Sequence, residues 1–123
     1  MKNFIFDISL FLDDKTLWEM ANVHPKTTGL KYHIHLYGKD SQTRHGPRVK
    51  VSNIAGKFDR NDNFSLSISH DPEVLNKKQC KIPNEHLDHI KDWVRLNHDH
   101  LHSMWHNYET QDTAEEISKL RKV

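Results

Sequence analysis

Apolar and polar residues alternate in four stretches of this chain, a period of two that is typical of strands burying one face. The alternating apolar residues are Phe4, Phe6, Ile8 and Leu10, then Tyr32, Ile34 and Leu36, then Val49 and Val51, and finally Phe64, Leu66 and Ile68. Residues 13–20 predict a short helix or turn, and residues 78–82 predict a short edge strand. The pattern therefore predicts four to five strands.

A different period follows, because residues 82–108 predict one long amphipathic helix. At about 100° per residue its apolar side chains fall on one narrow stripe: Leu87, Ile90, Val94, Leu101, Trp105 and Tyr108. Asn84, directly after Pro83, is the predicted N-cap. Asn97 lies within the stripe, where its amide either ties the helix to a strand edge or loop carbonyl or faces a partner. We favour the structural role.

Alternating strands followed by a helix predict an α+β fold. We expect a mostly antiparallel sheet of four to five strands with one long amphipathic helix packed on one face. The 123 residues suit a single domain. We assign residues 1–110 to this α+β domain and residues 111–123 to a charged C-terminal tail that forms a short helix or frays.

Composition indicates a cytoplasmic protein without a membrane partner. The lone cysteine, Cys80, excludes an intramolecular disulfide and a zinc site built from several cysteines. Asp7 interrupts the apolar N-terminal run, and no small-residue cleavage site follows it. No stretch approaches the roughly 20 apolar residues of a membrane-spanning helix.

The net charge of +1 conceals a basic middle, since residues 31–60 hold seven Lys and Arg against two Asp and Glu. If the alternating apolar side chains of the strands face the helix, the polar side chains between them form an open basic face on the other side of the sheet. Arginine there can hold a carboxylate or phosphate with two hydrogen bonds. The face is therefore a candidate docking surface for an acidic partner protein or a nucleic acid. The alternative is an ordinary solvated strand face without a binding role. Its candidate binding residues are His33, His35, Tyr37, Arg44, His45, Arg48 and Lys50.

Eleven histidines raise the question of a metal. His33 and His35 have the strand spacing that places two imidazoles on one face, which suits zinc, nickel or copper. Further ligands would have to come from His45, His70 or Asp71. Another set follows the helix at intervals of four residues: His98, His102 and His106. No metalloprotease-type motif accompanies them, so we predict no metal site and no cofactor.

Catalysis is the weaker interpretation. Five of the candidate residues could form a metal-free site that cleaves phosphodiesters: His33, His35, Arg44, His45 and Arg48. Histidine would act as general acid and base, and arginine would stabilise the negative charge that develops in the transition state. No nucleophile elbow, phosphate-binding glycine loop or nucleotide fingerprint is present. The sequence therefore favours a protein that is not an enzyme.

One resemblance rests on four features: the segment HGPRVKV at residues 45–51, the strand at residues 64–69, the pair Ile82-Pro83, and the helical series Trp93, Asn97, Leu101 and Trp105. Over residues 30–108 the chain resembles a small bacterial domain-of-unknown-function family found near toxin–antitoxin and mobile-element genes. No catalytic residues are established for that family. The resemblance and the basic face together predict a non-catalytic interaction protein that regulates or inhibits a partner protein, such as a nuclease or toxin. A nucleic-acid-binding protein or small nuclease is the alternative.

Overall fold

A computed structural model describes residues 18–38, 46–59, 61–107 and 110–123 of the chain. The predicted strand at residues 4–10, and the candidate residues Arg44 and His45, lie outside these ranges. Within them the sheet has four antiparallel strands in sequence order: β1 (Trp18–Val23), β2 (Ile34–Gly38), β3 (Arg48–Ser52) and β4 (Asn63–Ser67). This confirms the α+β class.

The helices lie between and after the strands. A short helix, α1 (Pro25–Thr28), follows β1. After β4 come a 3-10 turn (Lys77–Gln79) and three further helices: α2 (Asn84–Leu96), α3 (His98–Asn107) and α4 (Thr113–Ser118). None of the helices in the described ranges is long and apolar enough to cross a lipid bilayer.

The core forms where the alternation predicts it. Register pairs Ile34 with Val51, and Val51 with Phe64, so the apolar alternates of three strands share one face. These side chains are buried in one cluster with apolar residues from both long helices: Ile90, Trp93, Val94, Leu101 and Met104. The helices therefore cover this apolar face of the sheet.

One uninterrupted helix over residues 82–108 is not confirmed, because α2 ends at Leu96 and α3 begins at His98. Between them Asn97 has a ψ of 14°, away from the helical value. Its side-chain amide donates to the carbonyl oxygens of Trp93 and Arg121, and side chains that bond the backbone in this way interrupt helices. The N-cap of α2 is Pro83, and Asn84 is its first helical residue.

Two other local predictions differ from the structure. Of residues 13–20, expected to be helix or turn, residues 13–17 lie outside the described ranges, and residues 18–20 belong to β1, which has a register shift between Glu19 and Ala21. A strand at residues 78–82 is not confirmed. The outer side of β4 is instead bonded by the loop that follows this strand, where Leu66 bridges Val74.

The C-terminal segment packs against the rest of the fold. Leu120 is buried in the main core cluster, and the backbone N–H of Val123 donates to the carbonyl oxygen of Thr28 at 3.1 Å. Gly29 permits this approach, since a Cβ there would lie 2.8 Å from the Val123 carbonyl oxygen. Its φ of +83° also favours glycine. The segment contains α4, whereas the sequence left a short helix and fraying as alternatives.

Candidate functional site

The polar face of the sheet is not open to solvent, so that expectation is wrong. His35 is fully buried, and Arg48, Lys50 and Tyr37 are 4%, 9% and 9% exposed. His33, just before β2, is half-buried. The reason is that strand periodicity does not reveal what packs on the second face of a sheet, and here that face is covered. The binding role of these residues stays a prediction.

The loop after β3 supplies one part of this cover. The ring of Phe58 lies 4.7 Å from the ring of His35 and 6.3 Å from that of His33, measured between centroids. A 2.7 Å hydrogen bond joins His35 Nε2 to Ser52 Oγ, which in turn bonds both backbone groups of Asp59. The two imidazoles that were considered as metal ligands therefore lie against this loop.

The cations of the same face pack on aromatic rings. The Arg48 guanidinium lies 5.9 Å from the centroid of the Trp105 ring, and Lys50 Nζ lies 5.4 Å from that of Tyr37. Trp105 and Tyr37 also form a small buried cluster of their own. Contacts of this kind stabilise a buried cation, so Arg48 and Lys50 have a clear structural role.

A different set of histidines lies at the surface. The ring of His70, from the loop after β4, stacks on the ring of His98 at a centroid distance of 3.8 Å and an interplanar angle of 28°. Further along α3, His102 follows His98 at 5.7 Å, and His106 follows His102 at 4.5 Å. We call these four residues the histidine row. It runs from the α2–α3 junction along the flank of α3.

The histidine row begins in a groove of about 310 Å³ between the α2–α3 junction and the C-terminal segment. We call it the basic groove, after the three cationic side chains that line it. Its lining residues are His70, Arg95, Leu96, Asn97, His98, Asp99, His100, Lys119 and Arg121. Asn97 holds the two sides together, since its amide bonds both backbone groups of Arg121.

Carboxylates border the cations of the basic groove. Arg95 bonds Asp92 at 2.9 Å and lies 3.7 Å from Asp71. Lys119 Nζ bonds Glu116 at 3.0 Å, and this hydrogen bond raises the pKa of Lys119 above its ordinary value. The groove is therefore basic at its surface but is surrounded by charges of both signs.

The acidic residue of the groove is Asp99. Its Oδ1 lies 2.8 Å from His98 Nδ1, and this hydrogen bond holds the pKa of Asp99 below its ordinary value. Possible ligand atoms of His70, His98 and Asp99 all lie within 4.8 Å of one another. Two imidazole nitrogens and a carboxylate oxygen form a donor set that transition metals accept.

Sequence reasoning identified the helical histidines by their spacing but missed their partner. His70 was considered only as an additional ligand for His33 and His35, whereas its ring stacks on His98. No periodicity links a loop residue to a helix 28 positions later. The groove cations Arg95, Lys119 and Arg121 carried no local signal either.

Comparison with known proteins adds no relative: no protein-family model, no curated protein and no solved structure matches the chain. The resemblance to a bacterial domain-of-unknown-function family stays a prediction.

Proposed function

We propose that this chain is a small non-catalytic interaction protein that binds a partner protein and regulates or inhibits it. The basic groove carries the proposal, because it joins Arg95 of α2 to Lys119 and Arg121 of the C-terminal segment around an accessible concave surface. Cations arranged in this way attract an acidic segment and orient its carboxylates. Leu96, 39% exposed, adds an apolar contact in the same groove.

The proposed partner is a nuclease or toxin of a bacterial toxin–antitoxin, phage-defence or counter-defence system, encountered in the cytoplasm. The sequence resemblance suggests this class. Nucleases that use divalent metal ions present clusters of carboxylates, and such clusters complement a basic groove in charge. Occupation of these carboxylates by the groove would inhibit the partner without any reaction.

Two side chains of the groove carry fixed charges that can contact a partner. The pKa of Asp99 is lowered by its hydrogen bond with His98, and that of Lys119 is raised by its hydrogen bond with Glu116. Both shifts favour the charged forms at pH 7.

The mixed charges around the groove favour a protein over a nucleic acid. Asp92 lies beside Arg95, and Glu115 and Glu116 lie beside Lys119. These carboxylates would repel a continuous phosphate backbone, but they can pair with basic side chains on the surface of a partner protein. The near-neutral net charge of +1 agrees with this preference.

Charge reversal tests the groove. We would compare the proteins that co-purify with the wild-type chain, with Arg95→Glu/Arg121→Glu, and with the control Lys31→Glu/Lys57→Glu, using an affinity tag without histidine. The control lysines are exposed and do not line the groove. Each recovered partner is then purified, and its affinity is measured by calorimetry. We expect the groove variant to weaken binding at least about tenfold and the control to leave it unchanged.

Equal affinity of wild type and groove variant would refute this docking surface. Binding to RNA or DNA that weakens steeply with salt, without a protein partner, would support the nucleic-acid alternative instead. Charge reversal at Arg48 and Lys50 is unsuitable as a test. It would place carboxylates at buried sites beside Trp105 and Tyr37 and would destabilise the fold.

A further inference from the structure

We propose that His70, His98 and Asp99 form a binding site for a divalent transition-metal ion of the Zn²⁺ type. This inference is independent of the proposed partner, and it departs from the prediction that the chain binds no metal. The three side chains come from two segments that only the tertiary fold brings together, and their possible ligand atoms lie within 4.8 Å of one another.

The spacing is close to that of a metal's ligand shell. Bonds of about 2.0–2.1 Å to nitrogen or oxygen require neighbouring ligand atoms about 2.8–3.3 Å apart. His98 Nδ1 and Asp99 Oδ1 are 2.8 Å apart in a hydrogen bond, which a metal ion would replace with release of the Nδ1 proton to solvent. His70 is on an exposed loop and stacks directly on His98, so a small rotation of its ring completes the set.

The helix junction holds the central ligand in position. His98 is the first residue of α3, and Asn97 before it is fixed by hydrogen bonds to Trp93 and Arg121. The loop carrying His70 is held nearby, since the next residue, Asp71, lies 3.7 Å from Arg95. A site whose ligands are held before binding loses less entropy when the metal binds.

The surrounding charges permit a divalent ion. Carboxylates beside Arg95 and Lys119 offset part of the repulsion between these two cations and a bound metal ion. Neutral imidazole is the form of histidine that binds metals. Three protein ligands would leave a coordination position open to water or to an external ligand.

Titration of the untagged, metal-free full-length chain with Zn²⁺ by calorimetry tests the site. We expect one ion per chain. His70→Ala and His98→Ala should each weaken binding at least about tenfold, and Asp99→Asn should weaken it to a smaller degree. His89→Ala, at an exposed histidine of α2, is the matched control and should stay within about twofold of the wild type. Circular dichroism checks that each variant is folded.

Imidazole NMR signals identify the ligands directly. Zn²⁺ should shift the ring resonances of His70 and His98 and leave those of His89 unchanged. Affinity retained within about twofold in both His70→Ala and His98→Ala overturns the proposal. Loss of binding in His102→Ala but not in His70→Ala also overturns this ligand set, in favour of an i,i+4 pair on α3. Equal affinity for Mg²⁺ or Ca²⁺ would indicate carboxylates alone and would refute the site.

Discussion

Replacement of Asn97 by leucine tests whether this buried amide joins the helix junction to the C-terminal segment. The residue is 3% exposed. Its Nδ2 donates at 3.0 Å to the carbonyl oxygens of Trp93 and Arg121, and its Oδ1 accepts at 2.8 Å from the backbone N–H of Arg121. These bonds confirm the structural role favoured from the sequence. Leucine has the same branched arrangement of side-chain heavy atoms and makes none of these bonds.

The expected loss is about 2–4 kcal/mol in the free energy of unfolding. Both bonds to Arg121 cross between separate segments, and each contributes about 0.5–1.5 kcal/mol. The two backbone groups of Arg121 would also lose their partner, which costs about 1–3 kcal/mol for a buried group and less where water enters. Trp93 adds little to the total, because its carbonyl oxygen also accepts from the Asn97 backbone N–H.

Urea denaturation of wild type, Asn97→Leu and the control Asn107→Leu measures this loss. Asn107 is exposed, and its side chain bonds only Ser103 of its own helix among the described residues. The control should change stability by less than about 0.5–1 kcal/mol. Hydrogen exchange should accelerate at the Arg121 amide in Asn97→Leu alone. Unchanged stability with unchanged exchange would refute the structural role, and lost partner binding at full stability would assign Asn97 to recognition.

Three further predictions concern the stability of the fold outside the candidate site. Trp105→Ala, at a side chain 1% exposed, should cost about 3–5 kcal/mol by urea denaturation, and a loss below about 1 kcal/mol would show that the ring is not core. Gly29→Ala should cost about 1–2 kcal/mol and expose the Val123 amide to hydrogen exchange, because φ is positive and the new Cβ meets backbone. A hydrogen bond from Asn53 holds the pKa of Asp62 below its ordinary 3.8. The Asp62 carboxylate therefore stabilises the fold above about pH 4, and this contribution disappears as the pH falls through the lower folded-state pKa. Urea midpoints of wild type and Asp62→Asn should differ at neutral pH and converge in acid, and a constant difference would contradict this linkage.

The core strands were predictable because their signal is local. In β2, β3 and β4 every second residue is apolar, and register places these residues on one face. β1 was missed because its pattern is irregular. The sequence WEMANV does not alternate cleanly, and the pairing with β2 shifts between Glu19 and Ala21.

The buried state of the second face was not predictable from the strands themselves. Polar alternates such as His35 and Lys50 normally face water. Here Phe58 and Trp105, from a loop and a helix far along the chain, lie against residues of this face. A buried basic residue on a strand therefore has the same local pattern as an exposed one. Only the tertiary contacts distinguish a docking face from a structural layer.

The position of His98 shows why the site depends on the break that sequence periodicity did not predict. In an unbroken helix, residues four apart differ by only about 40° in direction, so His98 would continue the buried face of α2 that carries Val94. The break at Asn97 lets α3 begin anew, with His98 stacked on His70 and bonded to Asp99 in the basic groove. A buried polar residue inside an apolar stripe is a local conflict, and such conflicts are expected at functional sites. In this chain, the buried polar residue Asn97 ends α2, and the resulting junction with α3 places the first residue of the histidine row in the basic groove.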